Sequence, residues 1–158
     1  MHGPFRQPIE CTPRRQRGLA VVEFVATAPF VLFLLLGSAE VGRAFIHYAT
    51  LTYAVRDSTR FVSNFALNGT TGVVQLDIDL INDAKNIAVY GQVGGGGNAR
   101  LPGFQTSQVA VTDVGSSNIR VVATYPYQPM LGAVLPSLMG DSINLGFTMV
   151  VAVTMRAI

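Results

Sequence analysis

Cysteine is nearly absent from this chain, which excludes a fold held together by disulfides. The single cysteine, Cys11, precedes the one long apolar run, so the residues after that run must be stabilised by packing or by neighbouring chains. A lipid-modified cysteine follows an apolar run instead, and Cys11 is therefore not predicted to carry a lipid. Tryptophan is absent as well.

Histidine is scarce, and the motifs of common catalytic sites are missing. His2 and His47 are the two histidines, and no nucleophile motif accompanies either of them. No Cys/His/carboxylate spacing predicts zinc. The four glycines at residues 94–97 lack the Lys-Ser/Thr that completes a phosphate-binding loop. The sequence therefore predicts no catalytic residue, no metal, no cofactor and no enzymatic activity.

Charged residues make up only 13% of the chain, and they are unevenly placed. Residues 1–18 carry four arginines against Glu10, a net charge of +3, whereas the remainder carries −1. This basic segment also contains three prolines, and it is predicted to be a disordered cytoplasmic leader. Because the basic charge lies in the leader, the composition predicts no nucleic-acid-binding surface.

The dominant feature is the apolar run at residues 19–39, whose only charged residue is Glu23. As a helix this run is ~31 Å long, close to the ~30 Å hydrocarbon core of a bilayer. A soluble core helix rarely stays apolar on all faces over such a length. We therefore predict a transmembrane helix over residues 19–39. The positive-inside rule places the leader in the cytoplasm and the C-terminal region across the membrane.

Two residues inside the run are unusual. Glu23 is an ionisable group in the membrane and is a functional hypothesis by default, although it lies near enough to the start of the run to reach the headgroups. Pro29 removes one backbone donor and crowds the preceding turn, so it predicts a helix kink, which transmembrane helices tolerate.

A helical pattern continues beyond residue 39. Side chains recurring at alternating steps of four and three predict a stripe that consists of Val41, Phe45, Tyr48, Thr52, Val55, Thr59 and Val62. The other face is predicted to carry Arg43, His47, Thr50, Asp57 and Asn64. We therefore expect an amphipathic continuation of the helix over residues 40–65, packed through its stripe on a globular head, with Asn68 and Gly69 as the stop.

Residues 66–158 are predicted to form an extracytoplasmic head. Residues 76–90 fit a helix ending at Gly91, although residues 75–80 also alternate as a strand would. Strands are predicted at residues 108–114, 119–127 and 143–155, the last of them central in the sheet, with a loop and a short helical turn at 136–139 before it. The predicted fold class is α+β, a long helix packed on a small antiparallel three-stranded sheet.

Two further features of the head allow a functional and a structural interpretation. Asp77, Asp79 and Asp83 resemble a calcium cluster, but the central Gly and terminal Glu of an EF-hand are missing, so we interpret them as acidic residues of the helix start. The glycines at residues 94–97 are interpreted as a flexible connection.

The order of the N-terminal signals resembles a type IV prepilin processing site. Arginines precede Gly18, and an apolar helix with Glu23 at its fifth position follows. Residues 14–61 as a whole resemble the TadE-like family of minor pseudopilins of tight-adherence (Tad) pili. The shared features are the RG-x-A-x-VEF start, Pro29 before a leucine-rich block, and two spaced motifs, which contain Gly37, Glu40, Gly42 and Arg43 and then Ala54, Arg56 and Arg60.

The resemblance implies a pilin-like fold and a role as a structural subunit of an adhesion or secretion filament. It implies that a prepilin peptidase cuts between Gly18 and Leu19, although many type IV pilins have Phe at the position of Leu19. Glu23 would then pair with the new amine of a neighbouring subunit. The implied partners are the peptidase, other pilin or pseudopilin subunits, the assembly machinery and inner-membrane lipid.

Two other classes remain open from the sequence. The chain could be a single-pass anchored protein with an external binding domain and no filament. It could also be a secreted protein, cut by signal peptidase after Gly37-Ser38-Ala39, although the apolar run exceeds the usual ~7–15 residues of a signal peptide. Neither alternative explains why Gly18 and Glu23 occur together.

Overall fold

The computed structural model describes residues 16–67, 73–130, 134–135, 143–144 and 146–158. The elements in chain order are helices α1 (Gln16–Phe65) and α2 (Ile78–Tyr90), a short 3₁₀ helix (Thr106–Gln108), and strands β1 (Val109–Gly115), β2 (Asn118–Tyr127), β3 (Val134–Leu135), β4 (Ile143–Asn144) and β5 (Phe147–Arg156). The chain divides into two compact units, of which the first ends at Ala39 and the second is Glu40–Ile158. The α+β prediction is confirmed.

Helix α1 ends at Phe65, as predicted. Its only proline is Pro29. In the first unit the large apolar side chains from Leu19 to Leu36 are exposed, so the described part of the chain leaves this apolar surface uncovered. The part of the chain that the structure describes contains one helix long and apolar enough to cross a membrane.

The sheet-facing side of α1 differs in part from the predicted stripe. Val55, Thr59 and Val62 are buried as expected, whereas the earlier members Val41, Phe45 and Tyr48 are exposed. The reason is the repeat itself, because a pattern with a period of 3.5 drifts by ~20° per heptad on a straight helix. Over three heptads the stripe therefore leaves the sheet, and His47, predicted on the polar face, is buried instead.

Helix α2 confirms the helical interpretation of this segment. Gly91 follows it in the left-handed conformation (φ 81°), and its N–H donates to the carbonyl of Ile87 at 2.9 Å. The helix packs on α1, where the hydroxyl of Ser58 donates to the carbonyl of Ala84 at 2.7 Å. The carboxylate of Asp83, one of the three clustered aspartates, accepts the N–H of Gly94 at 3.2 Å.

The glycine-rich loop, predicted to be a flexible connection, has a hydrogen-bonded conformation in the structure. All four glycines at residues 94–97 have positive φ, between 75° and 99°, so other residues would be strained there. Nε2 of Gln92 donates to the carbonyls of Gly95 and Gly96. Nη1 of Arg100 lies 2.8 Å from the Asp57 carboxylate and ties the end of the loop to α1.

The three-stranded antiparallel sheet has the order β1-β2-β5, so the meander is confirmed. Two details of the predicted strands are wrong. The strand predicted at residues 143–155 begins at Phe147 and lies at an edge, because β2 occupies the centre. Residues 143–144 pair with Val134–Leu135 in a separate two-stranded sheet, so the predicted loop contains a strand. The predicted stop at Asn68 and Gly69 and the predicted turn at 136–139 lie outside the described residues.

The second unit has its core between α1 and the sheet. Leu51 and Val55 of α1 pack with Tyr125 of β2 and Met149 of β5, and further along the helix Val62 packs with Ile119. At the end of the chain the N–H of Ile158 donates to the carbonyl of Ser63 at 3.0 Å. In the second unit α1 therefore runs antiparallel to β2 and parallel to β5.

Candidate functional site

The residues predicted for processing and assembly lie in the first part of α1. A side chain at Gly18 would meet no other atom within 4 Å, and Leu19 is 74% exposed. Glu23 is exposed too, and within the described residues its carboxylate has no hydrogen bond or ion pair. Its carbonyl accepts the Thr27 hydroxyl at 2.9 Å. These residues are therefore accessible to molecules outside the chain.

Glu40 forms a buried polar contact at the start of the second unit. Only 8% of Glu40 is exposed, and its Oε1 accepts hydrogen bonds from the hydroxyl of Tyr127 and, at 3.3 Å, from the N–H of Met130. Nη1 of Arg43 lies 4.0 Å from the same oxygen, one helical turn away. Because a buried carboxylate needs donors or a counter-charge, these contacts fix the end of β2 against α1.

His47 and two tyrosines complete this site, which we call the Glu40 cluster (Glu40, Arg43, His47, Tyr125 and Tyr127). The imidazole centroid is 5.4 Å from the ring of Tyr127, edge to face, and 6.0 Å from that of Tyr125. The guanidinium carbon of Arg43 is 6.0 Å from the ring centroid of Tyr127, a cation–π distance. The two tyrosine rings of β2 therefore lie against Arg43 and His47 on one face of α1.

The environment of the Glu40 cluster shifts three pKa values, and burial raises that of Tyr125 above its ordinary value. Burial, together with the hydrogen bond to Glu40, raises the pKa of Tyr127 to about 12, so its hydroxyl stays a donor at neutral pH. Burial, and then the positive charge of Arg43, lowers the pKa of His47 below its ordinary value, while Glu40 opposes that shift. The arrangement therefore favours a neutral imidazole, and Glu40 is the acceptor for Tyr127.

The Glu40 cluster has the chemistry of a structural clamp. Its side chains include no cysteine, serine or threonine nucleophile, and the described residues contain no group of three His, Cys, Asp or Glu side chains that could hold a metal ion. Nδ1 of His47 and Nη1 of Arg43 are buried without a hydrogen-bond partner in the described part of the chain. The cluster can join a helix to a strand and respond to protonation of His47.

Acidification is expected to destabilise the second unit through His47. Because the pKa of His47 is lowered in the folded state, the unfolded chain binds a proton at a higher pH than the folded chain does. The free energy of unfolding therefore falls as the pH decreases through ~6.5, and it levels off below the folded-state pKa. The groups that face His47 are Glu40 and Arg43 on α1 and Tyr125 and Tyr127 on β2. The loss cannot exceed ~1.4 kcal/mol per pH unit.

Thermal unfolding of the full chain in detergent, at about pH 7.5 and about pH 5.5, checks this expectation. The variant His47→Gln should lose less stability than the natural chain over that interval. An equal loss in both proteins would assign the pH dependence to other groups.

The other predicted motif residues Gly42, Arg56 and Arg60 are exposed on α1. Gly42 is exposed, and a Cβ there would meet nothing within 4 Å. Arg56 and Arg60 are exposed on α1, about 20 Å or more beyond Arg43 at the rise of a helix. Of the predicted motif residues the structure therefore joins Glu40 and Arg43 only.

Sequence reasoning missed His47 and Tyr127 as partners of Glu40. A signal for His47 was present, since Glu40, His47, Leu51 and Ser58 follow helical spacing along one face. A signal for Tyr127 was present in the alternation of β2, where Tyr125 and Tyr127 share the buried side. No local pattern indicates that this strand ends beside Glu40.

No curated protein and no solved structure matches this chain. Residues 18–60 match the family described as TadE-like protein. The matched segment contains Gly18, Glu23 and Pro29 and both spaced motifs up to Arg60. The resemblance predicted from the sequence is therefore confirmed over this segment, which is TadE-like and suggests a pilin-like protein associated with a Tad pilus.

Proposed function

We propose that this chain is a minor pilin-like subunit of a Tad-type pilus that serves adhesion or secretion, and that it is a structural protein without enzymatic activity. The observation that carries the proposal is the order Gly18, Leu19, Glu23 at the start of a bilayer-length apolar helix, inside the segment that matches the TadE-like family. The partners would be a prepilin peptidase, other pilin-like subunits and the pilus assembly machinery.

Maturation would begin in the inner membrane. The arginine-rich leader stays in the cytoplasm, the head lies across the membrane, and the peptidase cuts between Gly18 and Leu19. The exposure of both residues supports access to this bond. Cleavage gives Leu19 a positive amine.

Assembly would use that amine. Glu23 is exposed and has no ion-pair partner in the described part of its own chain. A carboxylate among apolar helices needs a compensating charge, which the Leu19 amine of a neighbouring subunit can supply. Such a pair sets the register between subunits. Pro29 allows the helix to bend when it leaves lipid for the filament.

N-terminal sequencing of protein extracted from native membranes tests the proposal. A start at Leu19 supports the pilin-like subunit. A start at Glu40 would instead indicate a secreted protein, and a start at Met1, in cells with active peptidase, a plain membrane anchor.

Replacement of Glu23 by alanine is expected to leave processing intact and to lower the amount of the chain in isolated filaments by about tenfold or more, the equivalent of ~1.4 kcal/mol of lost pairing. The isosteric variant Glu23→Gln should behave in the same way, and Glu23→Asp, which keeps the charge, should recover part of the incorporation. Quantitative immunoblots of filaments and membranes measure both fractions. Normal incorporation of the alanine and glutamine variants would contradict the charge pair.

A further inference from the structure

The two edges of the three-stranded sheet are built differently. Strand β1 is seven residues long, carries Asp113, has a register break between Asp113 and Gly115, and lies beside α2. The charge, the register break and the neighbouring helix each discourage pairing with another chain. Strand β5 is ten residues long, pairs with β2 in unbroken register, and contains no proline or glycine, and its only charged residue is Arg156. Among the residues that the structure describes, β5 therefore has none of the protection found at β1.

The free side of β5 requires an extended backbone as its partner. In the described part of the chain this strand pairs with β2 alone, so the N–H and C=O groups that point away from β2 have no ladder partner. A row of alternating donors and acceptors at strand spacing is satisfied by another strand, and recognition of this kind adds a strand to a sheet.

An open apolar groove lies on the inner side of the same strand. It has a volume of about 310 Å³ and is lined by Val41, Ala44, Phe45, Tyr48, Phe147 and Met149. Phe45 is 71% exposed and Phe147 is 51% exposed. On α1, His47 and Leu51 face the sheet, so Val41, Phe45 and Tyr48 form the flank of the helix beside β5. Within the described residues, no strand beyond β5 covers this flank.

We propose that the β5 edge and the apolar groove together receive an extended strand from a different pilin-like subunit anchored in the same membrane. The backbone edge supplies the hydrogen bonds. The groove accepts the apolar residues that the partner strand carries at every second position. The site itself rests on the second unit alone, while the identity of the partner rests on the proposed function.

A second copy of this chain is the wrong occupant on geometrical grounds. Two identical edges pair through a two-fold axis, which makes the two β5 strands antiparallel. Because α1 runs parallel to β5, the two α1 helices would then point in opposite directions. The apolar span directly precedes Glu40 in the sequence, so the two spans would be attached at opposite ends of the paired sheets. Two copies anchored in one membrane need their spans at the same end. The other edge of a second copy, β1, carries the protection described above.

Photo-crosslinking in the native host tests the inference on the full chain. The photoreactive residue p-benzoylphenylalanine is introduced, in separate variants, for Thr148, Val150 or Ala152, which lie on the exposed face of β5. We expect adducts with one other pilin-like subunit, and peptide mapping should show the partner site shifting by two residues for each step along β5. Adducts only with a second copy or with lipid, scattered sites on the partner, or no adduct would each overturn the proposal.

A matched pair of lysine variants separates the edge from the face of the sheet. Val150 and Thr124 are register partners on the same exposed face, but Val150 is on the edge strand and Thr124 on the central one. Val150→Lys should lower recovery of the partner by about tenfold, since charge on an edge opposes pairing, and Thr124→Lys should have little effect. Equal recovery from both variants would overturn the strand pairing, and processing at Leu19 would show that the proposed function itself had survived.

Discussion

Replacing Glu40 by alanine is expected to destabilise the second unit by about 2 kcal/mol, a large part of the stability of a small domain. The substitution removes the closer acceptor of the Tyr127 hydroxyl, which keeps only the backbone carbonyl of residue 40 at 3.4 Å, and it removes the acceptor of the Met130 N–H. It also leaves Nη1 of Arg43 buried without a counter-charge. A buried hydroxyl with a weakened hydrogen bond, a backbone N–H without its acceptor and a partly buried guanidinium without its counter-charge each cost free energy, so the total loss exceeds that of one hydrogen bond.

The loss is measured by thermal unfolding of the full chain in detergent. Near-UV circular dichroism of the tyrosines is the signal, because the chain has no tryptophan. A decrease of the melting temperature by ~10 °C is expected for a unit of this size. Tyr127→Phe, which deletes one hydroxyl, should cost about 1–2 kcal/mol. The double variant should lose less than the sum of the two, because both residues belong to one contact.

Arg56→Ala is the matched control for Glu40→Ala. Both residues belong to the motifs shared with the TadE-like family, and both lie on α1, but Arg56 is exposed. An exposed substitution of this kind changes the free energy of unfolding by no more than about 0.5 kcal/mol. If Glu40→Ala and Arg56→Ala unfolded at the same temperature, the Glu40 cluster would have no structural role.

Local patterns of the sequence were sufficient to place the main elements. Helix α1 continues past Pro29 to Phe65, as predicted, because no further proline interrupts it. Gly91 ends α2 because glycine adopts positive φ readily. Strands β1 and β2 follow from alternation around the turn at Ser116 and Ser117. These features depend on neighbours within a few residues, which a sequence displays directly.

The contacts that define the Glu40 cluster could not be obtained in this way. Glu40 and Tyr127 are 87 residues apart, and their contact depends on which end of β2 lies beside α1. The family motif indicated Glu40 and Arg43, but nothing in the motif indicates that Glu40 is buried against the end of β2. Long-range packing determines that burial.

The position of β5 was mispredicted for a physical reason that bears on function. A strand that is apolar on both faces normally lies in the middle of a sheet, and β5 has Val150 and Ala152 on the face opposite Met149 and Val151. It lies at an edge instead. The same error applies to Val41 and Phe45, which were predicted to pack on the head. Both sets of residues have the composition of a buried surface and adjoin the site where we infer an added strand.

Replacing Gly18 by aspartate is expected to abolish maturation, with a fall in the processed fraction of about 100-fold, equivalent to ~2.7 kcal/mol at the transition state of cleavage. Within the described residues a side chain at this position would contact nothing within 4 Å, so the fold gives no reason for a loss of stability. The added carboxylate would instead meet the peptidase. Immunoblots and N-terminal sequencing of membrane fractions measure the precursor and the chain that begins at Leu19.

The control for Gly18→Asp is Leu19→Phe, which places the residue common in type IV pilins after the scissile bond and should be processed at least as well as the natural chain. Unfolding of the second unit should be the same in all three proteins, which separates maturation from folding. In the uncut variant the nitrogen of Leu19 is still part of a peptide bond, so it cannot supply the positive charge that pairs with Glu23 of a neighbouring subunit. This variant should therefore remain in the membrane and be absent from filaments. An uncut chain that still entered filaments would show that assembly does not depend on the pair between that amine and Glu23.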